Sequence, residues 1–213
     1  MNWGTDWPTG SYRVLYVDPP WRFETYSAEG RDRCADNHYE VMTRDDLLRL
    51  PVADLCHPEG AVLLLWVTSD QLGWAVEHLI PAWGFIYKSR GPDWIKLRPQ
   101  GAVDRIMAKA AMLQASGIRV DWGAVIEECL ALGMGYYFRQ QGEECLLATT
   151  VKVPPRLSHG VRQVVVSERR EHSRKPDPVY GRIESLFPGP YLEMFARNER
   201  PGWDCWGDET GKF

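Results

Sequence analysis

The sequence has no uninterrupted apolar run of about 18 residues or more, which rules out a transmembrane helix. Residues 1–10 are polar and carry no apolar signal core, so a cytoplasmic protein with no membrane partner is expected. Cysteine is sparse. Cys34, Cys56, Cys129, Cys145 and Cys205 lie far apart, are odd in number and form no Cys-x-x-Cys pair, which argues against a disulfide framework. No paired His/Cys cluster occurs at ligand spacing, so no metal is expected and zinc hydrolysis fits poorly. No Gly-x-Gly-x-x-Gly is present, so an ordinary dinucleotide fingerprint is not available. Basic charge is not in excess. Lys and Arg number 25 against 29 Asp and Glu, a net of −4, which argues against a simple basic nucleic-acid coat protein. Internal repeats and low-complexity linkers are absent, and 213 residues suit one domain with a full-sized core.

Tryptophan and proline are abundant, at 10 and 15. Apolar residues make up 44% and fall into runs of two kinds. Tyr12–Val17 reads as a short buried strand, and Ala61–Val67 is a continuous apolar stretch suited to a strand covered on both faces. Phe85–Lys88 and Trp94–Leu97 read as a strand pair or one interrupted strand, and Glu144–Val151, Val161–Val166, Tyr191–Ala196 and Trp203–Trp206 as further strands. Thr43 reads as an N-cap with Asp45 and Asp46 in the first turn of a short helix, and Thr68/Ser69 as the cap of a helix running to about Trp83. Ala102–Ser116, Asp121–Leu132 and Pro178–Phe187 are helical patterns. Strands alternating with helices predict an α/β layered fold with a mainly parallel sheet flanked by helices. Between the first strand and the first helix, residues 22–37 are polar and aperiodic, a length typical of a lid or binding loop.

Charge is unevenly spread. Residues 88–119 carry seven basic side chains against Asp93 and Asp104, and residues 152–182 carry eight against Glu168, Glu171 and Asp177. Two positive stretches on an acidic remainder suit a face that handles a polyanion, or two unrelated solvated surfaces.

The most specific feature is Asp18-Pro19-Pro20-Trp21, directly after a hydrophobic strand. Ligands of open α/β sheets sit at the carboxyl ends of strands. Two prolines fix two φ angles and extend the residue before them, so the carbonyls of Asp18 and Pro19 point in set directions. Asp18 adds a carboxylate and Trp21 a large flat surface. Acceptors beside a ring suit a planar base with an exocyclic amine. That nitrogen is a poor nucleophile because its lone pair is delocalised, and hydrogen bonds from its N–H groups to oxygen acceptors push density back onto it.

This arrangement resembles the catalytic motif of methyltransferases acting on amino groups of adenine. Much of the chain, about residues 11–100 and 133–209, is similar to the MTA-seventy family of mRNA adenosine methyltransferases and its bacterial and phage members. The similarity runs in order through Tyr16–Trp21, His38-Tyr39 with Met42-Thr43, Leu64–Thr68 and Trp94–Lys96. It continues through Gly135–Phe138 with Gly142–Leu146, Ser173–Asp177 with Tyr180-Gly181, Glu193–Arg197, Pro201–Trp203 and Trp206–Glu209.

The resemblance implies a Rossmann-like methyltransferase fold in permuted motif order and S-adenosylmethionine as cofactor. Length and the absence of linkers favour a single domain over residues 1–213, and residues 101–132, outside the resemblance, read as a helical insertion expected to serve substrate recognition or oligomerisation. The resemblance places Asp18, Pro19, Pro20 and Trp21 at the reaction centre. Asp18 accepts from the target amine and lies near the cofactor's amino group. Pro19 accepts through its carbonyl, and Trp21 stacks on or walls in the base. Lys175 pairs with the cofactor's carboxylate, Arg197 holds the ribose with Asn198 nearby, and Asp208 and Glu209 reach the cofactor's ribose or adenine. Tyr39, with His38 beside it, contacts the target nucleotide. Asp208-Glu209 stand where the eukaryotic catalytic members carry amides, and Asn198-Glu199-Arg200 also departs from their pattern.

The implied partner is nucleic acid, DNA or RNA, with a homodimer or a heterodimer with a related subunit as the expected assembly. A non-catalytic partner subunit, a cytosine 4-amino methyltransferase and a small-molecule methyltransferase remain as alternatives. An intact Asp18 and Trp21 oppose the first, Asp rather than Ser at position 18 the second, and the two basic stretches the third.

Overall fold

The structure is a computed structural model and describes residues 6–22, 41–169, 174–207 and 210–211. Among the described residues seven strands follow one another as β1 (Val14–Val17), β2 (Val62–Val67), β3 (Ile86–Leu97), β4 (Gly142–Thr149), β5 (Val164–Glu168), β6 (Tyr191–Met194) and β7 (Trp203–Trp206). They are hydrogen-bonded in the order β5-β3-β4-β2-β1-β6-β7. β1 runs parallel to β2 and β6, β6 parallel to β7 and β3 parallel to β5, whereas β4 lies antiparallel to β2. The fold is therefore the expected α/β type with a mixed, mostly parallel sheet flanked by helices.

Helices connect the strands: α1 (Arg44–Arg49), α2 (Leu72–Trp74), α3 (Ile80–Ala82), α4 (Gln100–Ala115), α5 (Trp122–Cys129) and α6 (Pro178–Leu186). No helix among the described residues is long and apolar enough to cross a membrane.

The chain groups into two compact units, one of residues 1–91, 144–161 and 181–213 and one of residues 92–143 and 162–180. In the first unit every residue of β1 and β2 is buried, which is why both read as unbroken apolar runs. Their core partners include Leu47, Leu79, Ile80, Trp83, Leu146 and Leu192. In the second unit α4 and α5 pack against each other. Asp121 caps α5, its carboxylate accepting from the backbone N–H groups of Gly123 (2.9 Å) and Ala124 (3.3 Å).

Two local expectations change. Thr68 and Ser69 do not cap a helix. The Gln71 N–H bonds the Thr68 carbonyl to make a turn, and the helix opens at Leu72. It widens to a π-type turn over Ala75–Leu79 before α3. The two apolar pieces around residues 85–97 form one continuous strand of 12 residues. Gly91 lets its middle pass close to other chain segments, since a Cβ there would lie 3.1 Å from Leu64 and 3.3 Å from the Cys145 carbonyl.

Candidate active site

The strand register sets the place of the site. Val17 of β1 stands level with Leu65 of β2 and with Met194 of β6, and Met194 with Trp206 of β7. These strands are parallel, so Asp18, Val67-Thr68, Phe195 and Gly207 all leave the sheet at one carboxyl edge. β1 has β2 on one side and β6 on the other, far apart in sequence, which is the topological switch where α/β sheets bind ligands.

Asp18 is half-buried, and Pro19, Pro20 and Trp21 are buried. The carbonyl of Pro19 accepts the Trp21 N–H (2.8 Å), and that of Pro20 accepts the Met42 N–H (3.0 Å). A carbonyl has two lone pairs, so the Pro19 oxygen is aimed by its bond to Trp21 and keeps a second acceptor direction. The Trp21 indole donates to the Trp66 carbonyl (3.1 Å) and sets its edge on Trp74, with centroids 6.4 Å apart. With only 5% of its surface exposed, Trp21 walls the turn from within the core.

Residues next along the chain brace that wall. The Arg44 guanidinium sits 5.0 Å over the Trp74 ring and donates to the Gln71 side chain at 3.1 Å. Gln71 is itself buried and donates to Asp70 (2.7 Å). Below the turn, Tyr16 lies edge-on between Trp66 and Trp203, and Trp203 stacks on Tyr191 at 4.7 Å while donating to Glu184 at 2.8 Å. Four of the ten tryptophans, Trp21, Trp66, Trp74 and Trp203, belong to this aromatic packing behind the strand ends.

Phe195 leaves β6 with φ 61°, a left-handed backbone that costs free energy for a bulky residue. It directs Ala196, whose N–H bonds the Trp206 carbonyl (2.9 Å), and then Arg197 and Asn198, both half-buried. Gly207 packs so closely that a Cβ would lie 2.4 Å from the Ala196 oxygen. The Thr68 hydroxyl, at the end of β2, is buried without a hydrogen-bond partner among the described residues.

Lys175 lies in the second unit with 8% of its side chain exposed. Its ammonium is 3.2 Å from the Glu143 carboxylate, which also pairs with Lys96, and Lys96 lies 4.8 Å over the Trp94 ring. Burial works to raise the Glu143 pKa, but the charges of Lys175 and Lys96 and hydrogen bonds from both outweigh it and hold it at about 2. Glu143 is thus ionised across the physiological range and binds both cations together. Sequence reasoning gave these two partners of Lys175 no role. The available signal was Lys96 inside the otherwise apolar Trp94–Leu97 and an acid opening β4.

His38, Tyr39, Asp208 and Glu209 lie outside the described residues. No group of side chains among the described residues could hold a metal ion. Within the first unit, the Asp18 carboxylate, the buried Thr68 hydroxyl and the surrounding aromatic rings are groups chemically compatible with the ammonium and sulfonium of S-adenosylmethionine.

The family model described as MT-A70 matches residues 12–116 and 120–209. The match breaks only at 117–119, so it runs through α4 and α5. Among curated relatives, the type II methyltransferase M.MunI of a Mycoplasma species is 28% identical over 95% of this chain and 79% of its own. Human METTL4, an N(6)-adenine-specific methyltransferase, is 26% identical over 95% of this chain and 38% of its own. Human METTL3, an N(6)-adenosine-methyltransferase catalytic subunit, is 27% identical over 94% and 28%. The chain thus spans about four-fifths of the first relative and well under half of the two human ones.

Proposed function

The chain belongs to the MT-A70 family, and on that premise we propose that it is an enzyme methylating the exocyclic 6-amino group of adenine in nucleic acid, DNA or RNA. The observation that carries the reading is Asp18-Pro19-Pro20-Trp21 at the carboxyl edge of β1, at the switch between β2 and β6, with Asp18 half-buried and the Pro19 carbonyl aimed by the Trp21 N–H.

S-adenosylmethionine, when bound, supplies an electrophilic methyl on a sulfonium. The protein's own work is to hold and polarise the amine. Asp18 accepts one N–H of the amine and the Pro19 oxygen accepts the other. The fixed turn lowers the cost of orientation, and the buried Trp21 keeps bulk water off its rear face. The amine also needs its base out of a stack. Extrusion from a duplex costs a few kcal/mol and less from a single strand. Cofactor contacts by Lys175, Arg197, Asn198, Asp208 and Glu209, and nucleotide contacts by His38 and Tyr39, form part of the proposal. So do a cytoplasmic setting and assembly with a second like subunit.

Asp18→Ala is expected to abolish methyl transfer while S-adenosylmethionine binding, measured by calorimetry, partly survives. The readout of transfer is digestion of treated DNA and RNA to nucleosides followed by mass analysis. Methylated deoxyadenosine or adenosine supports the reading and separates the two substrates. Methylation of cytosine alone, or full transfer by Asp18→Ala, overturns it.

A further inference from the structure

The most exposed aromatic residues of the second unit are consecutive: Tyr136, Tyr137 and Phe138 are 78%, 86% and 89% exposed. They sit at the tip of a loop that the sequence builds for presentation. The Gly133 N–H bonds the Gln140 carbonyl (2.7 Å) and closes the loop at its base. Gly135 allows the tight return, since a Cβ there would lie 1.9 Å from the Phe138 oxygen. The Tyr136 and Tyr137 rings meet edge to face at 4.8 Å, so neighbouring rings offer faces in different directions. The stem is tied to the end of β3: the Ala131 N–H bonds the Lys96 carbonyl (2.8 Å), and the Arg98 side chain donates to the Leu130 carbonyl (3.2 Å).

Three large rings in water cost solvation free energy unless a partner covers them. Charge indicates which partner. From Leu130 to Gly142 there is no acidic side chain, while Arg139 follows the rings and Arg98 stands at the stem. Cations at the base with successive aromatic faces at the tip match a strand whose phosphates and unstacked bases alternate in the same way. A flat protein patch would instead gather its apolar groups on one face. We propose that the loop of residues 133–140 is a stacking platform for unpaired bases of a single-stranded nucleic acid. The proposal rests on the nucleic-acid reading above and narrows it to substrates with an unpaired stretch.

The test uses the full chain and a fluorescent single-stranded oligonucleotide of about a dozen nucleotides, read by anisotropy without cofactor. Combined Tyr136→Ala, Tyr137→Ala and Phe138→Ala removes three highly exposed rings, and unchanged thermal unfolding verifies the fold. Affinity is expected to fall about tenfold per base stacked. Combined Tyr136→Phe and Tyr137→Phe keeps all three rings and is expected to bind like the parent. An abasic strand of equal length is expected to bind parent and Ala variant alike. Three results would overturn the proposal: equal affinity of parent and Ala variant, an equal loss on the abasic strand, or altered self-association in sedimentation with strand affinity unchanged, which would assign the loop to a second copy. Methyl transfer does not enter the measurement, so failure here leaves the nucleoside analysis standing, and failure there leaves this result standing.

Discussion

Phe195 carries a left-handed φ of 61° at the end of β6, and the strain is held in place by what packs against it. Gly207 lies against the Phe195-Ala196 backbone at a distance that admits no side chain. Gly207→Ala is therefore expected to push the β6 and β7 ends apart and to cost about 1–3 kcal/mol, the range for overpacking, read as a lower midpoint in thermal or urea unfolding. If it also weakens S-adenosylmethionine binding, the turn at Phe195 positions Arg197 and Asn198. Of these residues only Arg197 and Asn198 had an expected role, through family resemblance. A positive φ on a phenylalanine leaves no mark in composition, because the residue type argues against it. Asp18 was the opposite case. Two prolines after a buried strand restrict the backbone, so a fixed turn at this place followed from residue types alone.

Among the elements, α1 reaches the site through its start. Thr43 accepts from the Asp46 N–H, and the Asp46 side chain accepts in return from the Thr43 N–H, a reciprocal cap. The hydrogen bond from the Thr43 side chain is the main cause holding the Asp46 carboxyl below its ordinary pKa. Just before the cap, Met42 bonds the Pro20 carbonyl, and just after it Arg44 covers Trp74. Thr43→Ala is expected to cost about 0.5–2 kcal/mol, with a larger fractional loss of methyl transfer than a remote cap would give, because both neighbours brace the Trp21 turn. Equal loss of stability with unimpaired transfer would separate α1 from the site. This cap was legible in Thr43 with two acids behind it. The later helix was not, because Thr68 and Ser69 are also good cap residues. The Thr68–Gln71 turn took the backbone bond instead and delayed the helix to Leu72.

At the scale of the whole molecule, charge is arranged in networks that a net of −4 conceals. Glu143 joins Lys96 and Lys175, and its pKa is lowered from 4.5 to about 2. A carboxylate with a depressed native pKa contributes stability that is fully present above the unfolded value. That contribution is lost as pH falls from about 4.5 to about 2. Glu143→Gln is expected to lower stability at neutral pH and to flatten the acid limb over that window, followed by urea midpoints against pH. An unchanged limb would show that the carboxylate does not couple to folding. The three residues lie at positions 96, 143 and 175, and nothing in their local patterns announces the pairing.

The sequence by itself determined the layered α/β class, the buried β1 and β2, the proline-fixed turn at Asp18–Trp21 and the family. Each of these rests on local information: apolar periodicity, proline geometry, or ordered short motifs. Tertiary structure decided the rest. It set Val17 level with Leu65 and Met194, which brings four strand ends to one edge. It placed Trp21 in the core and tied Lys175 to Glu143 and Lys96. It also lifted Tyr136, Tyr137 and Phe138 into solvent, where hydrophobicity alone would have put them in a core. Register, long-range ion pairing and exposure are properties of residues far apart in the chain, and only packing brings them to a single value.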